Sequence, residues 1–164
     1  MRMVSMNELT TFLHQKTTAV LEETLENMAF VSIEECTLEE ATNLKQPMLG
    51  VNLLITEPEL LEIRLDVSKE LLYQIAETMY TMDRDELSDQ LINDLLAEIL
   101  NTLAGRFMTV ILPPESDFSL SIPELADDEE STSEFKFNYI AEDLPLSVEI
   151  KAAEMDNLNS LLNN

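Results

Sequence analysis

Apolar and polar positions divide the chain into helices and strands before any motif is considered. Over residues 7–29 apolar side chains recur at helical spacing, with Leu21, Leu25 and Met28 on one side, which predicts a long opening helix. Residues 31–36, Val-Ser-Ile-Glu-Glu-Cys, alternate and predict a strand. Two further strands are predicted over 48–56 and 59–67, joined at Glu57-Pro58 in a tight hairpin. In the second, Leu61, Ile63, Leu65 and Val67 alternate with Glu62, Arg64 and Asp66, so one face is buried and the other wet. A helix is predicted over 69–81, with Ser68 as its N-cap. A second long helix covers 85–108, and Pro113-Pro114 forbids its continuation. Residues 117–122 predict a short strand, and 127–134, Asp-Asp-Glu-Glu-Ser-Thr-Ser-Glu, a solvated, mobile loop. A closing hairpin follows over 135–140 and 146–152, turning across Glu142-Asp143-Leu144-Pro145. The Asn-rich last dozen residues read as a frayed tail, in which Leu158, Leu161 and Leu162 could form a small docking helix.

Strands grouped beside separate helices, without regular βαβ alternation, imply an α+β fold with a largely antiparallel sheet. The two long helices would cover one of its faces. A sheet that ends in a hairpin leaves edges open to pairing, so a homodimer by sheet pairing or strand exchange is expected.

Composition narrows the function. The 164 residues suffice for one domain with a sizeable core. A formal charge of −24 should repel nucleic acid and anionic membranes, and favours partners with a basic patch. At 45% apolar the chain is too hydrophobic to be disordered. No apolar run is long enough to span a bilayer and the opening residues lack a signal-peptide core. A cytoplasmic location is therefore expected, and the lone Cys36 agrees with a reducing compartment.

The most informative residues lie in the second long helix. At about 100° per residue, Asp94, Glu98, Asn101 and Gly105 share one narrow stripe. Ile92, Leu95, Leu96, Ile99, Leu103 and Phe107 fall opposite and must face the core. Asn inside a helix costs roughly half a kcal/mol relative to Ala and Gly about 1 kcal/mol, so local stability does not favour these choices. The plain alternative is a solvated polar face.

The pattern Asp94-x3-Glu98-x2-Asn101, followed by a small residue and Gly105, resembles the signature of the CheC/CheX/FliY chemotaxis phosphatases. One full copy is present, as in CheX-type members. A fainter echo lies in the first helix, where Glu23 aligns with Glu98, Glu26 with Asn101 and Ala29 with Ala104. There the amide is replaced by a carboxylate, and helix one is expected to be structural. The resemblance extends over residues 7–152 and is specific over about 90–107. It implies a single CheX-like domain over 1–152, with 153–164 as a tail or short helix, and a dimer.

Its functional implication is a phosphatase acting on a phosphorylated CheY-like response regulator. Such a receiver supplies its own acyl phosphate, Mg²⁺ and Lys, so this chain needs no cofactor and no metal. Asn101 would hold the attacking water and Glu98 would pair with the receiver Lys. Asp94 would make a rim contact or support Glu98, while Ala97 and Gly105 would let another backbone approach. Gly105 could equally mark a tight contact of helix on sheet. The rival readings are a non-catalytic adaptor for a phosphorylated receiver, a flagellar-switch-like interaction module, or an unrelated acidic scaffold.

Other chemistries find no support. His14 is the only histidine, so neither a His-based triad nor a His-rich metal site can be assembled. Cys36 lacks a cationic neighbour and reads as a small buried thiol rather than a nucleophile. Two glycines cannot build a phosphate-cradling loop. Asp83-x-Asp85 opens like a calcium loop, but Leu87 and Ser88 occupy the third-ligand and glycine positions, so helix-end charge explains these acids better.

Overall fold

The computed structural model of the chain describes residues 4–127, 133 and 135–162. Most of the predicted acidic loop, 128–132 and 134, lies outside the described residues. The elements are α1 (Met6–Ala29), β1 (Glu34–Cys36), α2 (Leu38–Asn43), β2 (Met48–Glu57), β3 (Leu61–Ser68) and α3 (Lys69–Tyr80). A 3₁₀ turn at Arg84–Glu86 leads to α4 (Asp89–Ile111), then β4 (Ser119–Leu120), β5 (Glu124–Leu125), β6 (Phe135–Ala141), β7 (Leu144–Ala152) and α5 (Met155–Leu162).

The sheet runs β1-β6-β7-β3-β2-β4, with β5 also on β2, and every pairing is antiparallel. Side-chain alternation sends Leu61, Ile63, Leu65 and Val67 of β3 to one face, beside Leu146, Val148 and Ile150 of β7. That face meets α1, α3 and α4 in a single core. Glu62, Arg64 and Asp66 point the other way. This is the α+β arrangement the alternation implied.

Several boundaries move for local reasons. The closing hairpin turns on Glu142 and Asp143 alone, both with positive φ of 50° and 62°, so Leu144 and Pro145 are already paired in β7. That is the backbone twist of a two-residue hairpin loop, which Asn-Gly would have announced and Glu-Asp does not. The strand expected from residue 31 begins only at Glu34, although Val31 and Ile33 are buried beside it. Ser68 precedes α3 but its hydroxyl caps nothing and is buried. The predicted N-terminal edge of the motif helix at 85 is the separate 3₁₀ turn, and Ser88 is the true cap of α4, accepting from Leu91 N at 3.1 Å. α4 continues past 108 to Ile111.

The predicted 117–122 strand is reduced to β4, and β5 follows it. α2 was not anticipated, though Thr37-Leu-Glu-Glu40 is a capping box in sequence and in structure. At the C-terminus the docking helix, one of the two expected outcomes, forms as α5. Leu158 and Leu161 of α5 are 1% and 2% exposed and belong to the core.

Candidate functional site on helix α4

The buried side of α4 fixes the direction of its polar side. Ile92, Leu95, Leu96, Ile99, Leu103 and Phe107 are all buried, as are Leu100, Ala104 and Met108. With the helix anchored through about half of its circumference, it cannot roll, and Asp94, Glu98 and Asn101 are left exposed. Among the described residues neither Glu98 nor Asn101 makes a hydrogen bond or an ion pair. A carboxylate and a carboxamide therefore stand one turn apart with their hydrogen-bonding capacity uncommitted.

The other stripe residues differ in kind. Asp94 Oδ1 accepts a 2.7 Å hydrogen bond from Gln90 Nε2, one turn earlier, so it is held by Gln90 and not coupled to Glu98. Ala97 sits at the edge of the stripe, half-buried and packed against the core. A Cβ added to Gly105 would meet nothing within 4 Å, which removes the tight helix-on-sheet contact as its explanation. The bare backbone at Gly105 faces open space.

Two neighbours were not legible from the motif. Tyr80, the last residue of α3, is half-buried beside this stripe. Burial pushes its phenol above the ordinary range, and the charges of Glu98 and Asp94 push it further. Only the pairing of α3 with α4 brings Tyr80 there, and no local spacing encodes it.

Arg84 secures the junction of the same two helices. Its Nη1 and Nη2 donate to Glu70 at 2.9 Å each, its Nε and Nη2 donate to Glu77 at 3.1 and 2.9 Å, and its guanidinium lies 5.2 Å from the Tyr73 ring centroid. The hydrogen bonds from Arg84, foremost, lower the Glu70 carboxyl below its usual range.

The echo in α1 is closed off. Glu23 Oε1 lies 2.9 Å from Arg106 Nη1, at ion-pair distance although not along a hydrogen-bond direction. The first helix thus spends its aligned carboxylate on α4 and carries no amide at the Asn101 position. His14 and Cys36 are likewise ordinary. The His14 ring stacks on Phe137 at 4.9 Å and lies 3.3 Å from Glu35, while burial and then Glu40 raise the Cys36 thiol. Asp83 accepts at the cap of the 3₁₀ turn, with Glu86 returning to its backbone, which accounts for the acids there. No group of three or more His, Cys, Asp or Glu able to hold a metal occurs among the described residues. No helix among them is long and apolar enough to cross a membrane.

The geometry has counterparts in known proteins. The family model for chemotaxis phosphatase CheX matches residues 55–139, a span that contains β3, α3 and the whole of α4. The chain belongs to the CheX family. No curated protein matches it in sequence. Among solved structures, CheX from Vibrio vulnificus superposes with a TM-score of 0.67 at 14% identity, over 84% of this chain and 94% of that one. CheX from Borrelia burgdorferi, solved in a CheX-CheY-BeF3-Mg²⁺ complex, gives 0.59 at 16% identity, over 85% and 97%. The FliM middle domain from H. pylori gives 0.60 at 16% identity, over 98% and 99%. At these identities the superpositions establish the shared fold.

Proposed function

We propose that this chain is a phosphatase for a phospho-aspartyl receiver domain, and that Glu98 and Asn101 enter the receiver's active site together. The observation that carries this is the exposed, uncommitted carboxylate–amide pair on a helix whose opposite side is locked into the core. Phosphoryl transfer from an acyl phosphate passes through a loose transition state, so placing the water and stabilising charge do most of the work. The Asn101 amide oxygen accepts a hydrogen bond from water and holds it in line with phosphorus. The receiver contributes the Mg²⁺, and its Lys pairs with Glu98. A desolvated, charge-assisted pair of this kind contributes about 1.5–3 kcal/mol, enough to fix the register of insertion. Asp94, steadied by Gln90, makes a rim contact. Gly105, with Ala97 at the edge of the stripe, lets the receiver backbone approach closely.

Family membership and the CheX-CheY-BeF3-Mg²⁺ complex of the Borrelia burgdorferi protein support a CheY-like partner, BeF3 being a stand-in for the phosphoryl group. The rival reading is an adaptor that binds the phosphorylated receiver without hydrolysing it, since the fold, shared with the FliM middle domain, does not by itself fix the activity. Loss of phosphoryl label from an acyl-phosphorylated receiver in single turnover separates the two. The phosphatase speeds the loss, whereas an adaptor leaves it unchanged or slows it.

A homodimer is the proposed assembly. The sheet edges offer three residues in β1 and two each in β4 and β5. Edges this short blunt simple strand addition, so a dimer there calls on side-chain contacts or strand exchange as well. Sedimentation equilibrium reads the outcome, and a monomer at high concentration would remove the assembly from the proposal.

A further inference from the structure

The end of α3 brings a third side chain to the α4 stripe. Leu72, Ala76 and Tyr80 stand one turn apart along one side of α3, and the first two are 0% exposed. This row leaves the core at Tyr80, whose ring packs against core residues while the residue as a whole is half-buried. Because α3 lies against α4, the row emerges beside Asp94 and Glu98.

The last turn of α3 is braced. Thr81 closes it in the left-handed conformation with φ of 50°, and Arg84 beyond it ties back to Glu70 and Glu77 across the Tyr73 ring. Yet the Tyr80 hydroxyl makes no hydrogen bond among the described residues. Tyrosines that bury their rings ordinarily give the hydroxyl a partner. Burial first, then the charges of Glu98 and Asp94, raise its pKa, so the phenol stays a protonated donor in the field of two carboxylates.

Those carboxylates differ in what they lack. Asp94 Oδ1 already accepts from Gln90 at 2.7 Å, whereas Glu98 has no partner among the described residues. An ionised carboxylate offers about four acceptor sites. A docked receiver strips water from Glu98, and its Lys fills only part of that capacity. Acceptor sites left empty in a dry contact are costly. A phenol already held in place fills one of them without ordering a new segment, and it selects one rotamer of a long, flexible side chain.

We propose that Tyr80 is a positioning residue, its hydroxyl donating to the Glu98 carboxylate when the receiver docks and so aiming Glu98 at the receiver's Lys. The inference rests on the phosphatase reading and names the residue that sets how Glu98 engages its partner. The test is the affinity of a beryllofluoride-activated, Mg²⁺-loaded receiver for wild type, Tyr80→Phe, Glu98→Ala and the double variant. Tyr80→Phe keeps the ring and loses no hydrogen bond in the free chain, so Tm should stay within about 2 °C of wild type. Receiver binding should weaken about tenfold, the scale of one hydrogen bond to a charged group. The single-turnover rate of the saturated complex should stay within about twofold, because Asn101 still holds the water. In the Glu98→Ala background the same substitution should cost less than about twofold in affinity. With Asp94→Asn the full effect of Tyr80→Phe should persist. Unchanged affinity in Tyr80→Phe, an equal loss with and without Glu98, disappearance of the effect in Asp94→Asn, a saturated rate that falls as far as the affinity, or a lower Tm would each overturn the proposal. Unchanged affinity in Glu98→Ala would remove the Glu98–Lys pairing itself, and the role of Tyr80 with it.

Discussion

Replacing Gly105 with alanine separates what α4 needs for folding from what it needs for its partner. Inside a helix, Gly costs about 1 kcal/mol relative to Ala, from the entropy of the freer backbone. A Cβ at Gly105 finds no atom within 4 Å, so no steric term opposes the gain. Gly105→Ala is therefore expected to stabilise the isolated protein by about 1 kcal/mol, raising Tm by roughly 2–4 °C for a domain of this size. The same methyl group intrudes where the proposal brings a receiver backbone against α4. Overpacking of about 1–3 kcal/mol weakens association roughly fivefold to 150-fold. Thermal denaturation by circular dichroism reads the first effect. Calorimetry with a beryllofluoride-activated, Mg²⁺-loaded receiver reads the second. A lower Tm would refute the open space at Gly105, and a higher Tm with unchanged affinity would put Gly105 outside the contact. Gly50 supplies the opposite case within the same chain. There alanine must displace the Arg64–Asp66 pair, so Gly50→Ala should lower stability by about 1 kcal/mol despite its gain in strand propensity.

Glu98→Lys should leave Tm within about 2 °C of wild type, because the exposed Glu98 has no hydrogen bond or ion pair to lose among the described residues, while weakening binding of the activated receiver at least about tenfold. Unchanged affinity would remove Glu98 from the contact. Tyr139 makes stability depend on alkaline pH. It is 0% exposed, its hydroxyl lies 2.9 Å from Thr18 Oγ1, and burial raises its pKa from 10.0 to about 12. The raised folded value means that the protonated phenol is favoured by folding, so its contribution is complete below pH 10 and is lost as pH rises toward about 12. That loss amounts to about 2–3 kcal/mol, and Tyr139→Phe should flatten the decline measured by urea unfolding across this window. A decline of equal depth in Tyr139→Phe would assign it to other groups.

Much of the fold was legible because two periodicities dominate this sequence. The stripe of Ile92, Leu95, Leu96, Ile99, Leu103 and Phe107 fixed which way Glu98 and Asn101 face, and the alternation in 61–67 fixed which side of the sheet is wet. What escaped was set by tertiary context or by unusual turn chemistry. Glu142-Asp143 forms a two-residue loop with positive φ at residues that give no warning of it. Tyr80 joins the α4 stripe only through helix packing, while the docking helix that Leu158 and Leu161 allowed is decided against a frayed end because both find the core. Thr37-x-x-Glu40 was a readable helix start that a search for long periodic segments passes over. The roles of the site residues reached the sequence through motif resemblance, since exposure alone does not distinguish a working amide from a solvated one.

Asn101→Ala is the most direct test of the account. The side chain is exposed and makes no hydrogen bond among the described residues, so alanine should raise stability by roughly half a kcal/mol through helix propensity alone. With a phosphorylated receiver in single turnover, the variant should bind within about threefold of wild type yet lose roughly 100-fold or more in dephosphorylation rate, the scale on which a misplaced reactant costs rate. A variant that still strips the phosphoryl group at the wild-type rate, or that loses affinity and rate in equal measure, would contradict the claim that Asn101 holds the attacking water.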